Sequence, residues 1–301
     1  MADARARARV VAPARWAAPD ILAQFVDLAG QHGVDVEIDP QAMEQWHQLA
    51  GPDALRADTL RRALADEGVD IIFCARGGYG AGRTLPLLSG CAVSHPKALV
   101  GYSDITALQM GGGFAGVHYI HGAVPNEIAR EGGAERLAAT VEMARDLVTG
   151  AGLAGQSYSL EAVAEGVVRG PMAIGNLSVI TTLLGTPYEP RWDRVILTIE
   201  DCTEYLYALD RKFVQIAQSR LGPAVTGIVL GDFTDLEDNE VPWGETVAEM
   251  ARRHFPGIPV ATGLPIGHGE RNVPMLQGRM ASLDVKGGAA MLALEEVGTG
   301  A

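Results

Sequence analysis

VDIIFCARGGYGAGRTLPLL, residues 69–88, runs an apolar segment of strand length into a glycine-rich turn between Arg76 and Arg83. Such a turn can cradle a phosphate, act as a hinge or floor a catalytic pocket, and the chain around it has to decide. Upstream lie RARVVAPA (7–14), DILAQFVDLAGQHG (20–33), VDVEID (34–39) and DALRADTLRRALADEG (53–68). With 69–74 they alternate strand, helix, strand, helix, strand, the pattern of a parallel sheet wrapped by helices. In the helix expected over 53–67, Leu55, Leu60 and Leu64 recur near helical spacing, and Gly68 stands where a C-terminal cap belongs. PKALVGYSDITALQM (96–110) repeats strand, turn and helix downstream. A phosphate cradle is disfavoured: the spacing G-Y-G-A-G matches neither the dinucleotide fingerprint nor a P-loop, and no Lys-Ser/Thr pair follows.

The whole chain has 301 residues, 48% of them hydrophobic, enough for two ordinary domains or one large α/β domain. A polar helix and a Gly, Ser and Ala-rich stretch mark the change of texture after residue 131. We expect an N-terminal domain over 1–145, a linker over 146–166 and a smaller α/β domain over 167–301. A net charge of −13 argues against nucleic acid as a partner. The arginine-bearing start is not followed by an apolar segment of signal length, and no run reaches the roughly 18 apolar residues of a membrane span. Cys74, Cys91 and Cys202 are odd in number and widely spaced, which suits a reducing compartment. A cytoplasmic protein is expected.

Chemistry concentrates at three places. In ALVGYSDITALQM an apolar strand delivers Ser103 to a tight turn with a helix starting at once, so the following N–H groups favour negative charge. The plain alternative is that Ser103 is an N-cap. It is not a G-x-S-x-G elbow, because Ile105 replaces the second glycine. Glu200 ends the apolar run RVILTIEDC, and His268 sits between glycines in ATGLPIGHGERN. They supply an acid and a base in the order Ser, Glu, His. Asp201 is a second candidate acid, although strand alternation sends it to the other face, and Cys202 is a remote alternative nucleophile. His118 and His121, three apart on a strand, point to opposite faces and make a poor metal pair. No metal or organic cofactor is called for. Asn176, at the start of an apolar stripe, could line a cleft.

Together, VDIIFCARGGYGAGRTLPLL, ALVGYSDITAL, GNLSVITTLLGTPY, ILTIEDCTEYLYALDR and GLPIGHGERNVPMLQG resemble, in order and spacing, the signature segments of the LD-carboxypeptidase family of serine peptidases. The resemblance implies an N-terminal Rossmann-like domain similar to class I glutamine amidotransferases and a C-terminal swivelling β/β/α domain. It implies a nucleophile at Ser103, a base at His268 and an orienting acid at Glu200. It further implies release of terminal D-alanine from a muropeptide tetrapeptide, by a homodimer. In the family the turn matched by Gly77 and Gly78 lies beside the nucleophile, so the N–H groups of Gly78 and Asp104 are the expected oxyanion donors. Arg76 and Arg83, flanking the turn, are expected to receive the substrate carboxylate, with Tyr79 between them. Two loops depart from the family pattern: His121-Gly122-Ala123-Val124-Pro125 in place of His-Gly-Pro, and Val273 to Gly278 after the histidine. The rival reading within the fold is an immunity-type hydrolase resembling the microcin C self-immunity proteins, for which Trp192 or Trp243 would offer a base platform. Outside it stand a non-catalytic binding protein and, last, a dinucleotide oxidoreductase.

Overall fold

In the computed structural model residues 5–298 are described. Residues 1–4, where the leader reading begins, lie outside them. The described chain divides into two compact units.

The first unit alternates β1 (Ala6–Val11), α1 (Pro19–Gln31), β2 (Val34–Ile38), α2 (Asp53–Ala65), β3 (Ile71–Cys74), α3 (Ala81–Thr84), β4 (Lys97–Gly101), α4 (Thr106–Gly111), β5 (Val117–His121) and α5 (Gly133–Thr149). These five strands are parallel in the order β5-β4-β3-β1-β2. Every residue of β3 and β4 is buried, which is why these strands read as unbroken apolar runs: helices cover both faces. Buried Lys97 begins β4, its ammonium donating to the carbonyls of Asp66 and Val69. The cap expected at Gly68 is not formed. Asp66, in extended backbone, ends α2 and accepts the Gly68 N–H at 2.7 Å through its own carboxylate.

The second unit holds β6 (Gln156–Ala164), β7 (Gly166–Asn176), α6 (Leu177–Leu183), β8 (Val195–Cys202), α7 (Leu206–Gln218), β9 (Val225–Thr234), α8 (Val247–His254) and β10 (Val260–Thr262). After β10 the segment Asn272–Leu276 belongs to the first unit. There β11 (Met275–Leu276) pairs antiparallel with β5, Met275 opposite His121. The chain then completes the second unit with β12 (Met280–Lys286) and β13 (Ala289–Leu294). Seven strands close into a barrel in the order β10-β6-β13-β12-β7-β8-β9, with β7, β8, β9 and β10 mutually parallel. Residues 146–166, expected as a linker, carry the last turn of α5 and all of β6. The Gly, Ser and Ala texture that suggests a linker is that of a strand with its outer face in solvent: Ser157, Ser159 and Glu161 are exposed.

No helix among the described residues is long and apolar enough to cross a membrane.

Candidate active site

Ser103 stands at the carboxyl end of β4, where ligands gather in open parallel sheets. Its φ is +60°, one of four non-glycine residues in left-handed backbone among those described. A non-glycine residue there costs of order 1 kcal/mol or more and persists when its surroundings impose it. Tyr102, not Ser103, takes the N-cap position of the short 3-10 turn Ser103–Ile105, and no side chain caps that turn. The N-cap reading therefore does not describe this corner, which has the geometry of a nucleophile elbow. Gly101 makes it possible: a Cβ there would lie 2.7 Å from the Ile105 side chain.

The glycine turn packs directly on this corner. A Cβ on Gly77 would stand 3.0 Å from the Ser103 Cβ and 3.3 Å from its Oγ. Gly78 has φ +105°, and a Cβ on it would collide with the Arg15 side chain. Two ties fix the turn from below. The Asp104 carboxylate accepts the Ala81 N–H at 2.8 Å. Arg56, with no solvent exposure, donates to the carbonyls of Gly80 at 2.8 Å, Gly51 at 3.1 Å and Pro13. Burial raises the Asp104 pKa, and the Ala81 N–H, Arg56 and Arg15 oppose the rise.

The flanking arginines differ. Arg83 is held by Asp53, at 3.0 Å through Nε and 2.8 Å through Nη2. Arg76 is half-buried with no carboxylate within ion-pair distance among the described residues; burial and the like charges of Arg15 and Arg130 lower its pKa. A group so placed favours an incoming anion. Tyr79 is 57% exposed on the turn between them.

In the second unit Glu200 and His268 meet. His268 Nδ1 lies 2.7 Å from Glu200 Oε2, and Glu200 is fully buried at the end of β8. Gly267, with φ +116°, permits the approach: a Cβ there would stand 2.8 Å from both Cβ and Oε2 of Glu200. Burial disfavours a charged imidazole at His268, but a hydrogen bond with Cys202 and the hydrogen bond and charge of Glu200 outweigh it, pushing the pKa up to about 10. Asp201 faces away, as alternation along the strand requires, and its carboxylate accepts from Asn176 Nδ2 at 3.0 Å and Ser178 N at 2.9 Å. Asn176 thus serves the fold, capping α6 through the Val179 N–H at 3.1 Å, and is 5% exposed. Cys74 is wholly buried, its thiol pKa driven far up, so it is an inert core residue. His118 is half-buried, whereas His121 is buried edge-on to Tyr102 with ring centroids 5.8 Å apart.

Sequence reasoning does not find Arg56, Arg15, Gly267 or the Cys202 contact. Arg56 reads as one more polar position of an amphipathic helix, and only the tertiary packing shows three carbonyls converging on it.

A strained serine on a strand-to-helix corner beneath a glycine turn, and a histidine held by a buried carboxylate, define the class: a two-unit α/β hydrolase. The comparisons narrow it. The model of the LD-carboxypeptidase N-terminal domain matches residues 8–122, and that of the C-terminal domain matches residues 169–283. Murein tetrapeptide carboxypeptidase of Pseudomonas aeruginosa is 30% identical over 300 residues, covering 92% of this chain and 93% of that protein. Muramoyltetrapeptide carboxypeptidase from Oxalobacter formigenes superimposes with a TM-score of 0.83 at 25% identity, covering 97% of this chain and all of that one. The microcin C7 self-immunity protein MccF shares the fold, with a TM-score of 0.79 at 17% identity over 96% of each chain. The chain belongs to the LD-carboxypeptidase family, a family of serine-type hydrolases.

Proposed function

We propose that this enzyme hydrolyses the amide before a terminal D-alanine in a muropeptide tetrapeptide, with Ser103 as nucleophile, His268 as base and Glu200 as orienting acid. The 2.7 Å bond between His268 Nδ1 and Glu200 carries the proposal, because it fixes the tautomer in which Nε2 takes a proton. The left-handed Ser103 corner supports it from the first unit, and the names of the relatives supply the substrate class.

Ser103 Oγ attacks the scissile carbonyl carbon as its proton passes to His268. The oxyanion is held by the N–H groups of Gly78 and Asp104, and His268 returns the proton to the leaving amine of D-alanine. Water, deprotonated by the same histidine, then cleaves the acyl-enzyme. Arg76 receives the free carboxylate as a planar, charge-assisted partner. The reading places the enzyme in the cytoplasm as a homodimer, and sedimentation of the purified protein checks the assembly.

The test is release of D-alanine from L-Ala-D-Glu-meso-diaminopimelate-D-Ala, followed by mass spectrometry. Release supports the proposal. None from the folded enzyme, with cleavage of an aminoacyl-sulfamoyl nucleotide instead, replaces it with the immunity-type activity.

A further inference from the structure

The carboxylate next to Glu200 is placed in an unusual way. Asp201 is 2% exposed and has no cation within ion-pair distance among the described residues. Its Oδ1 accepts from Asn176 Nδ2 at 3.0 Å and from Cys202 N at 2.9 Å; its Oδ2 accepts from Ser178 N at 2.9 Å. The Ser178 hydroxyl then lies 2.6 Å from Asp201 Oδ2 and 2.9 Å from Glu204 Oε1. A hydroxyl has one proton to give. With both carboxylates ionised, the two short contacts would have to share that one proton. A proton on one of the two carboxyls removes that conflict.

The surroundings decide which. Lys212 Nζ stands 2.8 Å from Glu204 Oε2 and compensates a charge there. Asp201 has no such partner, and Glu200, its neighbour on β8, is committed to His268. Asp232 on β9 feels the opposing charges of Arg271 and Glu200. Burial raises the Asp201 pKa and the charge of Glu200 adds to it, while the hydrogen bonds from Ser178, the Cys202 N–H and Asn176 oppose the rise.

We infer that Asp201 is a positioning residue kept as a neutral carboxylic acid, its Oδ2 proton donated to Ser178 Oγ, which donates in turn to Glu204. The neutral acid ties the end of β8 to the start of α6 while leaving no second negative charge on the strand residue adjoining Glu200. Its bearing on catalysis rests on the reading of Glu200 as the orienting acid.

The test uses infrared difference spectra of the full chain at neutral pH, comparing wild type with Asp201→Asn and Glu204→Gln. The carbonyl stretch of a buried carboxylic acid should be present in the wild type, absent from Asp201→Asn and retained in Glu204→Gln. Loss in Glu204→Gln alone puts the proton on the other carboxyl and overturns the inference, as does absence of the band from the wild type. Thermal melts give a second readout whose sign is fixed. A folded-state pKa raised above the unfolded value of about 3.9 means that stability falls as pH rises from there. Wild type should lose melting temperature relative to Asp201→Asn between about pH 4 and 7, and parallel curves would contradict the inference. The His268 titration followed by NMR should move little in Asp201→Asn; a marked fall would reveal a lost negative charge. None of these readouts needs turnover, so the inference can fail while the peptidase reading stands, and the reverse.

Discussion

Replacing Glu200 by glutamine keeps the size of the side chain and removes its charge from a site with no solvent exposure. In the wild type the pKa of His268 is held at about 10, burial being outweighed by Cys202 and Glu200. With glutamine the burial and the Cys202 hydrogen bond remain while the charge and the charge-assisted bond of Glu200 are gone, so the value should fall clearly below the wild-type one. A fall from about 10 all the way to about 6.5 would be roughly 5 kcal/mol of proton affinity, the upper bound for the loss of Glu200, because Cys202 stays beside the ring. The sign for stability follows. A histidine whose folded pKa is raised contributes stability that is fully present below about pH 6.5 and lost as pH rises through about 10. Wild type should lose melting temperature across that window, and Glu200→Gln should start lower and lose less. The imidazole Cε1–H shift measured by NMR against pH reads the site directly. In turnover, kcat should drop on the order of 10⁴-fold with KM little changed, since a glutamine amide can hold the wrong tautomer. A His268 midpoint still near 10 in the variant, or a kcat within tenfold of wild type, would refute the reasoning.

Because acylation needs a neutral imidazole, kcat/KM should climb about tenfold per pH unit through the neutral range toward the raised His268 value; a flat profile between about pH 6 and 9 would speak against His268 as base. Gly78→Val forces a Cβ into the Arg15 side chain at φ +105°. It should cut kcat by about 100-fold or more if an oxyanion donor is displaced, a loss that steady-state kinetics on a folded variant would show. Arg76→Ala should raise KM for the free-acid peptide and leave a C-terminal amide substrate unaffected, whereas equal effects on both would take the carboxylate away from Arg76.

Much of this was legible in the chain because its signals are local. The unbroken apolar runs of β3 and β4 announce a parallel sheet, and the placement of Ser103, Glu200 and His268 at the ends of such runs announces where side chains emerge. Strand alternation alone turns Asp201 away from His268. The boundary was less readable: β6 is half-exposed and poor in large apolar residues, so its membership of a closed barrel depends on β13 and β10, far along the chain. Long-range polar contacts leave no periodic trace either. Arg56 reaches carbonyls from three separate segments, and Arg83, chosen for its place beside the glycine turn, is drawn to Asp53, thirty residues upstream. The segment from Val273 to Gly278, noted as a departure, includes the two residues of β11 opposite β5.

The measurement that bears most directly on the account is labelling of the purified enzyme with a serine-directed phosphonate, located by peptide mass mapping, in parallel with His268→Ala. The account predicts one adduct, on Ser103, that forms far more slowly in the variant. No adduct from a folded enzyme, an adduct on another serine, or labelling of Ser103 that ignores the loss of His268 would contradict it.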